Sequence, residues 1–248
     1  MECFDIQCGF GGARRGQSQI ATVEQCLEMT GRLKIAGALV RSEPDDLSID
    51  IELANRLLFR ACGSLPALVP CPVVVPDTAG DVPPAREQVE AHVKAGAGAA
   101  LIRPAVDHWD VAPWVADGLF EALADRRLPL YCLLRYISFA QVAEIAGRWP
   151  ELPIVLAEIP YGSQRILYPL LTRFGNIHIS IGPVLANHLG LEDLVRRVGA
   201  GRLLFGTGFP RFEPMMALSQ FVYAELGGED RAAIGAGNWR KLWSGVKR

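Results

Sequence analysis

No pair among the six cysteines of this sequence is spaced as CxxC: Cys3, Cys8, Cys26, Cys62, Cys71 and Cys132 are scattered along 248 residues. That scatter argues against a zinc ribbon or a dithiol redox motif. Several lie inside apolar runs such as VPCPVVV and LYCLL, where a free thiol acts as a small buried hydrophobe in a reducing compartment. Neither GxGxxG nor GxxxxGK(S/T) occurs, so the glycine loops that cradle dinucleotides and nucleoside triphosphates are missing. No apolar run reaches membrane-spanning length, and no basic stretch followed by an apolar signal core opens the chain. The expected location is therefore cytoplasmic, with no membrane partner. An excess of one charge is missing too. Lys and Arg number 25 against 27 Asp and Glu, for a net charge of −2. With no basic patch interleaved with aromatics, nucleic acid is not an expected partner.

Half of the residues are apolar, and the length suits one large α/β core, a single domain over residues 1–248. Glu2–Gly12 reads as a first strand in which Asp5 and Gln7 alternate with Phe4 and Ile6, giving one polar and one apolar face. Further apolar strands are expected at Lys34–Arg41, Pro66–Val75, Ala99–Arg103, Leu128–Leu134, Leu152–Glu158, Ile177–Ile181 and Arg202–Thr207. The prolines of Pro66–Val75 predict short or irregular pairing there. A polar segment, ARRGQSQ, follows Gly12. Thr22 with Gln25 and Ser138 with Gln141 read as capping boxes that open helices. Other helices are expected at Ser48–Cys62, with Ile49, Leu53, Leu57 and Leu58 on one face, and at Ala85–Ala95, Ala112–Arg126, Ser163–Phe174, Leu191–Val198, Pro214–Leu226 and Glu229–Trp243. Strands alternating with helices through short links predict a (β/α)8 TIM barrel.

Phe4–Gly11, FDIQCGFG, resembles the opening strand of the amidohydrolase superfamily, in particular its amidohydrolase 2 branch of decarboxylases and lactonases, where that strand reads like DxHxHxG. Arg202–Pro210, RLLFGTGFP, resembles the closing strand RLLFGTDxP of the same family. GNIHISIG and the terminal IGAGNWRKLW are similar as well. The resemblance implies the TIM barrel again. It also implies one or two divalent metals in the mouth, held by two histidines on strand one, histidines on strands five and six, and an aspartate on strand eight. Carried over position by position, those ligands fall on Gln7 and Gly9, near Leu133, on Glu158 and on Gly208. Zinc takes its lone pairs from imidazoles, thiolates and carboxylates at about 2.0–2.2 Å for N and O donors. Glycine and leucine supply none, and one carboxylate cannot hold a catalytic ion. The four histidines, His92, His108, His178 and His188, stand elsewhere. The expectation is a retained barrel with its metal centre lost and no cofactor.

In such a barrel Asp5, Gln7, Arg103, Tyr131, Leu133, Arg135, Glu158, His178 and Ser180 would face one interior, with Gln7, Arg103, Arg135, Glu158 and Ser180 nearest the mouth. Arg103, Arg135 with Tyr136, and Arg211 after strand eight would surround a carboxylate or phosphate, because guanidinium forks pair with oxyanions. Alternatively, they neutralise Glu158 and Asp5 across the depleted metal cavity. Glu158 is the candidate general acid or base, or else a salt-bridge partner of Arg135 or Arg103. His178 is a ligand-facing residue or a core histidine, and Asp5 is expected to pin backbone or a neighbouring strand. Two main functions follow: a metal-free relative that binds a small anionic organic acid and hydrolyses or decarboxylates it, or a catalytically inactive barrel serving as ligand sensor or oligomeric partner; a relocated metal site is the remaining alternative. Apolar helix faces around Leu218–Leu226, Trp239 and Trp243 would pack on the barrel or form a homodimer contact.

Overall fold

The computed structural model describes residues 2–11, 22–43, 50–185 and 189–248. The polar segment after Gly12, the start of the second expected helix at Ser48 and Ile49, and His188 lie outside the described residues. Parallel strands β1 (Phe4–Gly11), β2 (Gly37–Glu43), β3 (Leu68–Pro70), β4 (Ala100–Ile102), β5 (Leu130–Leu133), β6 (Ile154–Ala157), β7 (Ile177–Ser180) and β8 (Leu203–Leu204) alternate with helices. These are α1 (Val23–Arg32), α2 (Ile51–Cys62), α3 (Ala85–Lys94), the short α4 (Pro104–Asp107), α5 (Pro113–Arg126), α6 (Phe139–Arg148), α7 (Gln164–Arg173), α8 (Gly190–Val198), α9 (Pro214–Tyr223), α10 (Gly228–Ala232) and α11 (Asn238–Ser244). Both capping boxes form: Thr22 and Ser138 each accept from the third helical backbone N–H while Gln25 and Gln141 reach back.

Regular ladders run β1-β2-β3 and β4-β5-β6-β7-β8. The seam between them follows the proline-rich stretch, where Gly98 donates to the Pro70 carbonyl (3.0 Å), Leu101 to Pro72 (2.8 Å) and Val74 to Leu101 (2.9 Å). Proline lacks the N–H that a regular ladder needs, so pairing there is intermittent. On the other side, Ile6 N–H donates to Phe205 (3.0 Å) and Gly208 N–H to Gln7 (2.9 Å), which joins the last strand to the first. The result is the closed (β/α)8 barrel.

Alternation along the strands divides the core. Leu39, Val69, Leu101, Tyr131, Val155 and Leu204 fill the lumen, whereas Val40, Ile102, Cys132, Leu156 and Ile179 pack under the helices. The strict alternation expected for β1 fails, because the β1–β2 register shifts between Asp5 and Cys8. Ile6 joins the lumen, and Cys8 turns outward among the helix-facing residues. A second departure concerns α2. Leu53 and Leu57 are exposed, and Asn55, Leu58 and Cys62 form the buried face. Asn55 sets that rotation by exchanging two hydrogen bonds with the Val73 backbone, at 2.7 and 2.8 Å. The last expected helix is broken into α10, a π-turn at Ala233–Gly237 and α11. Trp239 from α11 is buried at the lumen's lower end and stacks on Phe4, with ring centroids 5.5 Å apart. On α9, Met215, Met216, Val222 and Tyr223 are exposed. All six cysteines are buried free thiols, and burial pushes Cys3 up to about 11 and Cys62 to about 12.

Gly98 packs closely against the lower lumen. A Cβ there would lie 2.5 Å from Val69 Cγ1 and 3.1 Å from the Trp239 ring, and a β-branched side chain has no free rotamer to retreat into. Gly98→Ala is expected to cost about 1–3 kcal/mol, read as a melting temperature lower by roughly 2–4 °C per kcal/mol for a chain of this size.

Acid stability supplies a second expectation. His92 and His178 are half-buried, and burial lowers each imidazole to about 4. In the unfolded chain they titrate near ~6.5. Between those values the unfolded chain binds protons that the folded one refuses, so their contribution is complete above the upper value and declines as pH falls toward the lower. Asp5, raised by burial, runs in the opposite sense. The urea midpoint of a His92→Gln/His178→Gln variant should therefore fall less than that of the parent between neutral pH and the lower value. An identical decline would show that these imidazoles are not the protons involved.

Candidate functional site

The site begins with the β1 bulge. Asp5 Oδ1 accepts the Gln7 N–H and the Thr207 N–H, each at 2.9 Å, and Oδ2 accepts the Thr207 hydroxyl. Burial raises the Asp5 pKa, while these bonds and nearby Arg41 pull it down. With the bulge pinned in this way, Gln7 turns toward β7, where Ser180 Oγ donates to Gln7 Oε1 at 2.8 Å. Ser180 Oγ also accepts the Gly182 N–H at 3.2 Å. Three glycines give the amide its room. A Cβ on Gly182 would lie 2.5 Å from Gln7 Oε1, and one on Gly206 2.8 Å from Gln7 Cβ. One on Gly208, whose φ is +74°, would lie 2.8 Å from Phe212 and 3.4 Å from Gln7 Nε2.

Tyr131 rises from β5 into the same lumen and is 1% exposed. Burial drives its phenol pKa well above the ordinary range, against the pull of Arg41, so the group is a neutral hydroxyl. Neither Tyr131 OH nor Gln7 Nε2 bonds an acceptor among the described residues, although both atoms are shielded from solvent. Arg41, at the mouth end of β2, is buried and donates to the Cys8 carbonyl at 3.2 Å. The sequence reading did not single it out. Leu39 faces the lumen two residues earlier, and the two-residue period of a strand carries Arg41 to the same side.

Glu158 follows β6 directly, with φ of +56°, a left-handed conformation that costs a non-glycine residue about 1 kcal/mol. It forms an ion pair with Arg135, their side chains 8% and 14% exposed, and the Arg135 guanidinium lies 4.6 Å from the ring of buried Tyr136. Arg103 is buried, and its Nε and Nη2 grip both Asp107 oxygens at 3.0 and 2.7 Å. The short α4 places that carboxylate one turn later, so Arg103 meets an acid of its own helix. Arg211 is exposed above Phe212, 5.9 Å from the ring, outside the buried group. His178 does share a face with Ser180, but it is two residues lower on β7. It borders a cleft at the opposite end of the barrel together with Asn176 and Lys241. Leu133 is a lumen residue, and the Gly9 N–H donates to Phe209 at 2.9 Å.

These residues do not suit the divalent metal that the resemblance implies. Gln7 Oε1 is committed to Ser180, Glu158 to Arg135, and Gly9, Leu133 and Gly208 offer no donor atom. The volume beside Gly208 is taken by Phe212 and the Gln7 amide. Among the described residues, no three His, Cys, Asp or Glu side chains converge as a metal site.

Solved structures share this architecture. A 2,6-dihydroxybenzoate decarboxylase complexed with 2,6-dihydroxybenzoate aligns with a TM-score of 0.75 at 16% identity, over 98% of each chain. A dihydroxybenzoic acid decarboxylase from Polaromonas sp. JS666, with bound manganese and the inhibitor 2-nitroresorcinol, gives 0.76 at 14% identity, over 98% of this chain and 97% of that one. A putative 2-pyrone-4,6-dicarboxylic acid hydrolase from Pseudomonas putida gives 0.71 at 18%, with the same coverage of 98% and 97%. No curated protein matches the chain in sequence. The family model described as amidohydrolase matches residues 21–245, nearly the whole barrel, and the chain belongs to the amidohydrolase family.

Proposed function

We propose that this chain binds a small organic carboxylate at the C-terminal mouth of the barrel without a divalent metal. The observation that carries this reading is the pair of buried donors, Gln7 Nε2 and Tyr131 OH, that no acceptor among the described residues satisfies. A buried donor left unpaired costs about 1–3 kcal/mol, and an acceptor-rich ligand removes that cost for both. Arg41, close enough to the phenol to pull its pKa down, supplies a positive charge that suits an anionic acceptor. The decarboxylase complexed with 2,6-dihydroxybenzoate supports an aromatic carboxylate as the ligand type.

Turnover is the second reading. Glu158 favours it, being held at a strained φ of +56° and scarcely exposed. Strain of that kind persists where surrounding structure enforces it, often at a site. Arg135 engages Oε1, which leaves Oε2 to take a proton from water in a hydrolysis or to return one to carbon in a decarboxylation. The six free thiols favour a reducing cytoplasm, and the exposed apolar residues of α9 favour a homodimer.

Tyr131→Phe separates binding from folding. Deleting an unpartnered hydroxyl should leave the melting temperature of the free protein unchanged or raise it, while affinity for a hydroxybenzoate falls about tenfold, near 1.4 kcal/mol. Calorimetry in the presence of a chelator should give the same affinity as without it. A loss of affinity on chelation, or a destabilised Tyr131→Phe variant that binds normally, would overturn the reading. Glu158→Gln should still bind the same hydroxybenzoate. Only if the parent consumes it, followed by chromatography, is Glu158 a catalytic residue; no consumption leaves the inactive barrel.

A further inference from the structure

At the end of the barrel opposite the mouth, a cleft of about 770 Å³ opens beside the links that enter β5, β6 and β7. Its cationic side chains come from three separate parts of the chain: Arg127 after α5, Arg173 at the end of α7, and Lys241 on α11. Among the described residues Glu151 is the single acid along its wall, so the cleft has a surplus of two positive charges in a chain whose net charge is −2. A dianion matches that surplus.

The walls are built rather than incidental. Asn176 Nδ2 donates to the carbonyls of Ala146, Trp149 and Leu152 at 3.3, 3.0 and 3.0 Å, tying the β7 approach to the end of α6. Arg127 caps α5 in the left-handed conformation, with φ of +50°. Glycine is the usual occupant of such a cap, and a side chain there costs about 1 kcal/mol. The position keeps its guanidinium at the cleft despite that cost. His178 borders the cleft from β7. Phe174, with the Arg173 guanidinium 5.7 Å from its ring, and Leu242 add apolar wall.

We propose that this cleft binds a small phosphorylated molecule, its phosphate among Arg127, Arg173 and Lys241 and its organic part against Phe174 and Leu242. Two guanidinium forks and one ammonium point charge suit the tetrahedral dianion of a phosphate monoester better than a planar monoanionic carboxylate. The site is independent of the mouth, and the cleft volume is within the range of small-molecule sites.

Phenyl phosphate is the test ligand, titrated calorimetrically at low ionic strength with benzoate and inorganic phosphate as comparisons. Phenyl phosphate should bind with Kd below about 1 mM and at least tenfold more tightly than benzoate. The surface variant Arg173→Ser/Lys241→Ser should weaken it about tenfold or more, and Tyr131→Phe in the mouth should leave it unchanged. No saturable heat, equal affinity for benzoate, or indifference to the double variant would overturn the proposal. Inorganic phosphate binding as tightly as phenyl phosphate would overturn the organic half of it. A loss on Tyr131→Phe would move the ligand to the mouth and overturn it as well.

Discussion

A buried carboxylate holds the first and last strands of this barrel together. Asp5 is fully buried, a position that disfavours a charge unless hydrogen bonds replace its water. Two backbone N–H groups and one hydroxyl supply that replacement, one from β1 itself and two from Thr207 beyond β8. With its oxygens committed across the closing seam, the bulge between Asp5 and Cys8 has no freedom to anneal into regular pairing. Two consecutive residues therefore serve the interior. Ile6 extends the apolar core of the lumen, while Gln7 sends its amide to Ser180. A regular strand would have sent one of them under the helices. The chemistry available at the mouth depends in this way on how the barrel is closed.

Around Gln7 the mouth is organised by what the neighbouring positions leave out. Gly182, Gly206 and Gly208 each lie where a methyl group would collide with the Gln7 or Ser180 side chain or with Phe212. An aspartate at Gly208 would need both a left-handed backbone and the space that Phe212 fills. The residues at the positions of the family's metal ligands are thus packed together with their neighbours, and no single substitution would make room for a ligand. An amide, a serine and a phenol occupy the upper lumen, which is rich in donors.

Much of the fold was legible in the sequence because it is written in local chemistry. Capping boxes at Thr22 and Ser138, apolar strand runs and the prolines of Pro66–Val75 each act through backbone geometry within a few residues. The departures come from contacts between distant residues. Asn55 rotates α2 by bonding Val73, so Leu53 and Leu57 face outward where periodicity placed them inside. Asp5 breaks the alternation of β1 by bonding a residue some two hundred positions away. The site was legible in part. Gln7, Arg135 and Glu158 do meet the mouth, but Arg103 is gripped by Asp107, Arg211 is outside the buried group, and His178 is at the other end. Sharing a strand face says nothing of height along the barrel, and two residues on β7 separate the mouth from the lower lumen. Arg41 escaped notice because a basic residue at a strand end reads as the start of a loop.

The arginines of the mouth are poor witnesses to activity, and the reason is electrostatic. Arg103 grips Asp107, Arg135 pairs with Glu158, and Arg41 spans from β2 to the Cys8 carbonyl beside Asp5. Removing one partner of a buried ion pair leaves an uncompensated charge and costs about 3–5 kcal/mol, so the fold alone is enough to keep these residues in place. The same charges would be retained by a working enzyme and by a barrel that had lost its reaction. Gln7 Nε2 and the Tyr131 hydroxyl differ in kind. Neither bonds an acceptor among the described residues, and stability alone would favour phenylalanine in place of the tyrosine. A group that the fold penalises is not explained by packing, which makes these two donors, and not the arginines, the informative side chains of the mouth.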